Sequence, residues 1–170
     1  MVSLEFIGLI FTGLSISISI IYYASVIRNQ NKTREAQLFM NIYNQWNNLS
    51  STYDYVMSKQ WSTFDEYVKL MKTDSEFSNS IRQLSRFFEG LGVLVNRELI
   101  DVSYVDDLMS GSTLDFWEKI ASVVIEIRKM SPSFQEWNEY LYVEVRKIYD
   151  SQHPEFKDKR AGFTTHWTNR

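Results

Sequence analysis

The charged side chains best placed for chemistry gather along one apolar stretch. Arg82, Arg86 and Glu89 recur at i, i+4 and i+7, and Arg97, Glu98 and Asp101 follow. On a helix the first three share a face, where neighbouring charges shift one another's pKa and a carboxylate becomes available for proton transfer. The same spacing also serves as pairs satisfying the rim of a helical bundle, and that structural use is the expectation for Arg82, Arg86, Glu89, Arg97 and Asp101. Asp101, Asp106 and Asp107 match no calcium loop, and acids at a helix start account for them. Metal ligation needs clustered donors, yet the chain has no cysteine and only His153 and His166. No H-E-x-x-H, Glu-x-x-His or G-x-S-x-G occurs, and Gly90-Leu91-Gly92 follows no strand that would make it a phosphate loop. The expectation is no catalytic residue, no cofactor and no metal.

The elements that must position these charges begin with a membrane segment. From Phe6 to Ile27 there is no charged side chain over 22 residues, and a helix of that length spans about 33 Å against a hydrocarbon core of about 30 Å. Its Ile, Leu, Phe and Val side chains favour insertion by about 5 kcal/mol. Tyr22 and Tyr23 stand where aromatic rings settle at the headgroup level, and Arg28, Lys32 and Arg34 follow. No Lys or Arg precedes the span, so the positive-inside rule sends the N-terminus outward and keeps the rest cytoplasmic. A cleaved signal peptide fits less well, because its apolar stretch is shorter and its start basic. Gly8, Thr12, Ser15 and Ser19 line one face of the span, a stripe that suits packing against another membrane helix or a second copy.

Residues 1–27 are thus expected as a transmembrane helix, 28–150 as a helical bundle domain and 151–170 as a flexible tail. Between Arg28 and Asp150 there are 14 Lys and Arg against 18 Asp and Glu, an acidic balance that argues against a nucleic-acid partner. No glycine or proline occurs between Leu14 and Glu89, so the membrane helix is free to continue to about Ser58. Ala36, Phe39, Met40, Tyr43, Trp46, Tyr53, Val56 and Met57 form its apolar face. Thr63-x-x-Glu66 is a capping box before Phe64, Tyr67, Val68 and Met71, and Thr73-x-x-Glu76 is expected to repeat the device. The next helix buries Phe77, Ile81, Leu84, Phe88, Leu91 and Val95, with Gly90 and Gly92 for close approach of a neighbour. Ser103-x-x-Asp106 is expected to open a short helix ended by Gly111, with Ser112 or Thr113 capping the next. Ser131-Pro132-Ser133 stops that helix, and Ser133-x-x-Glu136 is expected to cap the last. The fold class is all-α: one N-terminal transmembrane helix followed by an up-and-down cytoplasmic bundle.

The run Arg86-Phe87-Phe88-Glu89-Gly90-Leu91-Gly92-Val93-Leu94-Val95-Asn96-Arg97-Glu98-Leu99-Ile100-Asp101 carries a resemblance, as do Phe116-Trp117-Glu118-Lys119-Ile120, Arg128 and Trp137. Over most of residues 4–150 the chain resembles a widespread group of uncharacterised prokaryotic proteins, membrane-anchored and all-helical, that form a domain of unknown function. The resemblance implies a fold and supplies no activity or site residues. Its departure is Glu98, where the pattern leads to glycine in the turn before Ile100-Asp101.

The leading expectation is a single-pass, membrane-anchored interaction module without catalytic chemistry, an accessory subunit of a membrane complex. Its partners would be the bilayer and a protein, or a second copy through the membrane helix. The alternatives are a membrane-associated enzyme on a lipid-linked substrate, using Glu89, and a sensor relaying movement through the continuous helix. A pocket with convergent carboxylates would favour the enzyme; a filled core with an exposed apolar patch would favour the module.

Overall fold

A computed structural model describes the backbone of residues 4–154 and the side chains from residue 11 onward. The described residues form five helices and no strand: α1 (Leu4–Ser58), α2 (Phe64–Thr73), α3 (Ser75–Asn96), α4 (Val102–Arg128) and α5 (Glu136–Gln152). The chain divides into two compact units, Met1–Leu38 and Phe39–Arg170. The second unit takes up α1 at Phe39. The tail expected from residue 151, with His166 in it, lies outside the described residues beyond 154.

In the first unit α1 is long and apolar enough to cross a membrane, with a mean hydropathy of 1.3 in a window of which nothing is buried. Phe11, Leu14, Ile16, Ile18, Ile20 and Ile21 are all more than half exposed. The hydroxyls of Thr12, Ser15 and Ser19 donate to the carbonyls of Gly8, Phe11 and Ser15, at 2.8–2.9 Å. Their polarity is thus satisfied inside the helix, and what the face offers a neighbour is small size.

In the second unit the end of α1 buries Phe39, Ile42, Trp46 and Val56, while Met40, expected inward, is 50% exposed. Trp46 packs on Phe87 and Phe88 of α3, with centroids 5.7 and 5.5 Å away. The expected stripe of α3 is buried in full: Phe77, Ile81, Leu84, Phe88, Leu91 and Val95. Phe88 stacks on Phe116 of α4 at 4.8 Å. Leu141, Tyr142 and Val145 of α5 close the core with no exposed surface.

The capping box at the start of α2 is present, with Thr63 accepting from the Glu66 N–H and the Glu66 carboxylate from the Thr63 N–H. Three boundary expectations are corrected. Thr73 closes α2, and Asp74 caps α3 by accepting the Phe77 N–H at 2.9 Å. Gly111 breaks nothing: α4 starts after Asp101, whose carboxylate accepts the Ser103 N–H, and runs on to Arg128. Val105, Met109, Leu114 and Phe116 are buried in register on both sides of the glycine, and that burial outweighs its propensity cost of about 1 kcal/mol. Finally, Ser133 and Glu136 form no box, since α5 begins at Glu136 after Gln135, whose side chain makes no cap bond.

Asp74 does more than cap. Its carboxylate accepts from Lys59 Nζ at 2.8 Å and from the Tyr55 hydroxyl at 2.9 Å, tying the end of α1 to the α2–α3 junction. Lys59, then the Phe77 N–H and Tyr55, hold its pKa at about 2, below the usual carboxylate range near 3.8. A depressed carboxylate pKa means stability that is complete above the unfolded value and is lost as pH falls toward the folded one. Urea midpoints should therefore drop between pH 4 and pH 2, and Asp74→Asn should flatten that part of the profile. An equally steep drop in the variant would remove Asp74 as its source.

The turn after α3 resolves the departure at Glu98. The Leu99 N–H donates to the Leu94 carbonyl and the Glu98 N–H to the Val95 carbonyl, both at 3.0 Å, the paired bonds of a Schellman ending. Glu98 holds the left-handed position at φ 54. The glycine geometry is kept although the residue is not glycine, at a backbone cost of about 1–2 kcal/mol. Because Glu98 is exposed, Glu98→Gly should stabilise the bundle by about 1 kcal/mol in a denaturant titration. A loss of stability would mean that the Glu98 side chain contributes a contact.

Candidate functional site

The five charges singled out above serve different elements of the bundle. Asp101 caps α4, and Arg97 is the exposed residue ending α3. Glu89 leaves its helix to serve another. Its carboxylate accepts the N–H of Asn138 at 2.9 Å and also that of Trp137, so it caps the start of α5, where Gln135 makes no cap bond. Burial pushes the Glu89 pKa up, while the two N–H bonds and Arg128 pull against that rise.

Around this cap the elements are locked together. Gly92 of α3 lies so close to α5 that a Cβ there would sit 2.0 Å from the Trp137 carbonyl oxygen. Gly90, by contrast, faces open space. Arg128, the last residue of α4, donates from Nε to the Phe134 carbonyl at 2.8 Å, from Nη2 to the Gln135 carbonyl at 3.0 Å and from Nη1 to the Glu139 carboxylate. Glu139 has no exposed surface. Glu89, Gly92, Arg128 and Trp137, four residues from the resemblance, thus form one joint among α3, α4 and α5. Its carboxylates are engaged by backbone N–H groups or by a guanidinium.

A second polar group lies elsewhere in the bundle. The Tyr142 hydroxyl accepts from Arg146 at 2.9 Å and donates to Glu118 at 3.3 Å, and Arg146 pairs with Asp150. Burial pushes the Tyr142 phenol up to about 12, out of range for proton transfer near neutral pH.

Arg82 and Arg86 have a different setting. Both line a cleft of about 520 Å³ between α2 and α3, closed at one side by Ile127 and Phe134 of the α4–α5 corner. Its wall is the apolar face of α2 (Phe64, Tyr67, Val68 and Met71), with Ile81 of α3. No α2 residue is fully buried, although its polar and apolar faces are sharply separated. Lys72 is the third cation of the lining, and no carboxylate belongs to it. Neither Lys72, Arg82 nor Arg86 forms an ion pair among the described residues. Burial raises the Tyr67 phenol pKa, with Arg82 opposing it.

Arg82 and Arg86, expected beside Glu89, stand over α2 instead, and Lys72, Ile127 and Phe134, not among the expected site residues, join them in the cleft. The available signal was a short helix with an aromatic face and a cation in its last turn. Among the described residues no group of three or more His, Asp or Glu stands ready for a metal ion. Tyr22, Tyr23, Arg28, Lys32 and Arg34, expected to stand at a membrane interface, are all exposed on α1.

No curated protein and no solved structure matches the chain. A comparison with protein families matches residues 12–147 to the domain of unknown function DUF4760, covering the apolar part of α1, the cleft and the α3–α5 joint. The chain belongs to this family, DUF4760.

Proposed function

We propose that the protein is a non-catalytic binding module, tethered to a membrane by α1 and presenting the α2–α3 cleft to a partner. The observation that carries this reading is the cleft itself: an apolar, half-open concavity, with unpaired cations and no carboxylate in its lining. Pockets of roughly 300–1,000 Å³ with a few placed polar groups are where proteins take up other molecules. An enzyme using Glu89 is favoured less, because that carboxylate already holds two α5 N–H groups. The exposed apolar helix and the cations Arg28, Lys32 and Arg34 after it support a single-pass arrangement with the bundle in the cytoplasm.

A photoreactive residue placed at Val68, in the cleft, tests the reading against one at Gln83, on the exposed side of α3. In native membranes the Val68 position should give a discrete adduct that Arg82→Glu with Arg86→Glu abolishes, and the Gln83 position should not. No adduct, or equal labelling from both positions, would overturn the module. Protease added outside intact cells should leave the bundle uncut, and cleavage there would reverse the sidedness.

A further inference from the structure

We infer that the α2–α3 cleft is a binding site for a single-chain anionic amphiphile, a molecule with one alkyl tail and a carboxylate or phosphate head. The inference rests on the binding-module reading and names the occupant of the same site. The size fits: about 520 Å³ is the space of one small ligand. So does the chemistry of the wall, where Phe64, Val68, Met71 and Phe134 offer a tail apolar contact. The charge selects the head. Every charged group in the lining is a cation, and Arg82 and Arg86, one turn apart on α3, present guanidinium forks that bind carboxylate or phosphate oxygens in pairs. A cationic or neutral amphiphile would leave those forks unanswered.

The chain's own C-terminal segment is a poor occupant. Residues 155–170 carry Lys157, Lys159, Arg160 and Arg170 against Glu155 and Asp158, so they share the sign of the rim. A long protein segment is favoured less than a small amphiphile, because a stable protein interface buries on the order of 1,200 Å² or more. Within the lining, the Gln135 amide is already engaged by Asn138 Nδ2 at 2.8 Å and donates to the Ser85 carbonyl at 3.4 Å. That leaves the three cations, with the Tyr67 and Ser85 hydroxyls beside them, as the polar groups facing a ligand.

The test uses the full-length chain in phosphatidylcholine nanodiscs. Three photoactivatable probes share one alkyl chain and differ in head: a fatty carboxylate, an alkyl phosphate and an alkylamine. Adducts are mapped by mass spectrometry. The carboxylate, the phosphate or both should label the 64–71 and 134 peptides, the arm that labels naming the head, and the amine should not. Arg82→Glu with Arg86→Glu should cut that labelling at least tenfold while leaving labelling of residues 11–27 unchanged. Val68→Trp, which fills the cleft and keeps the cations, should cut it equally, so misfolding of one variant does not decide the outcome. Labelling confined to residues 11–27, or equal for all three heads, overturns the amphiphile. If the Val68 crosslinker instead captures an acidic protein segment, the amphiphile falls and the binding module stands; if it captures nothing, both fall.

Discussion

Arg128→Met is expected to destabilise the bundle by about 3–5 kcal/mol. The substitution leaves the Glu139 carboxylate with no exposed surface and without the guanidinium that compensates it. It also strips donors from the Phe134 and Gln135 carbonyls, which lie in the turn between α4 and α5. The pair is well placed before any direct bond is counted. Arg128 closes the last turn of α4 and Glu139 lies in the first turn of α5, so each charge opposes the dipole end it sits on. Arg128→Lys should recover little, because a single ammonium nitrogen cannot span the acceptors that three separate guanidinium nitrogens reach. The double variant Arg128→Met with Glu139→Leu should recover most of the loss, since removing both partners removes the uncompensated charge. Urea titration of the full-length chain in mild detergent, read by fluorescence of the buried Trp117, measures all three. A loss below about 1 kcal/mol for Arg128→Met would mean that Glu139 reaches water at little cost.

The parts of this fold that were legible in the sequence are those set by local chemistry. The burial of Phe77, Ile81, Leu84, Phe88, Leu91 and Val95 follows from helical spacing alone, and the Thr63 box from two residues three apart. Local signals misled where a distant contact outweighed them. Ser133-x-x-Glu136 has the composition of a cap, yet the N–H groups at the start of α5 are taken by Glu89, 49 residues before Asn138. Gly111 has the composition of a stop, yet core contacts along α4 carry the helix through it. The charges of α3 divide for the same reason. Spacing along α3 places Arg82, Arg86 and Glu89 on one face, but only packing separates the residue that caps α5 from the two that overlook α2. The cleft was out of reach because its wall is the face of α2 that its neighbours leave partly uncovered.

Gly92→Ala tests the joint from the side of α3 and is expected to cost about 3 kcal/mol. In an exposed helix the same change stabilises by roughly 0.5–1 kcal/mol, and Gly90→Ala, two residues earlier with nothing near its Cβ, should show that gain. At Gly92 the added carbon would lie 2.0 Å from the Trp137 carbonyl oxygen and 2.6 Å from its carbon. Those are backbone atoms, so no side-chain rotation relieves the overlap, and the start of α5 must move away from α3. Such movement draws the Trp137 and Asn138 N–H groups off the Glu89 carboxylate, so the steric cost and the loss of the cap occur together. The effects of Gly92→Ala and Glu89→Ala should then fall short of additive by 0.5 kcal/mol or more in a double-mutant cycle, as expected for residues that share one contact. Strict additivity would separate the two and require the α3–α5 approach to be maintained without the cap. A Gly92→Ala variant as stable as the parent would show that α5 can shift freely at Trp137, and the close approach would no longer account for how Glu89 holds the start of α5.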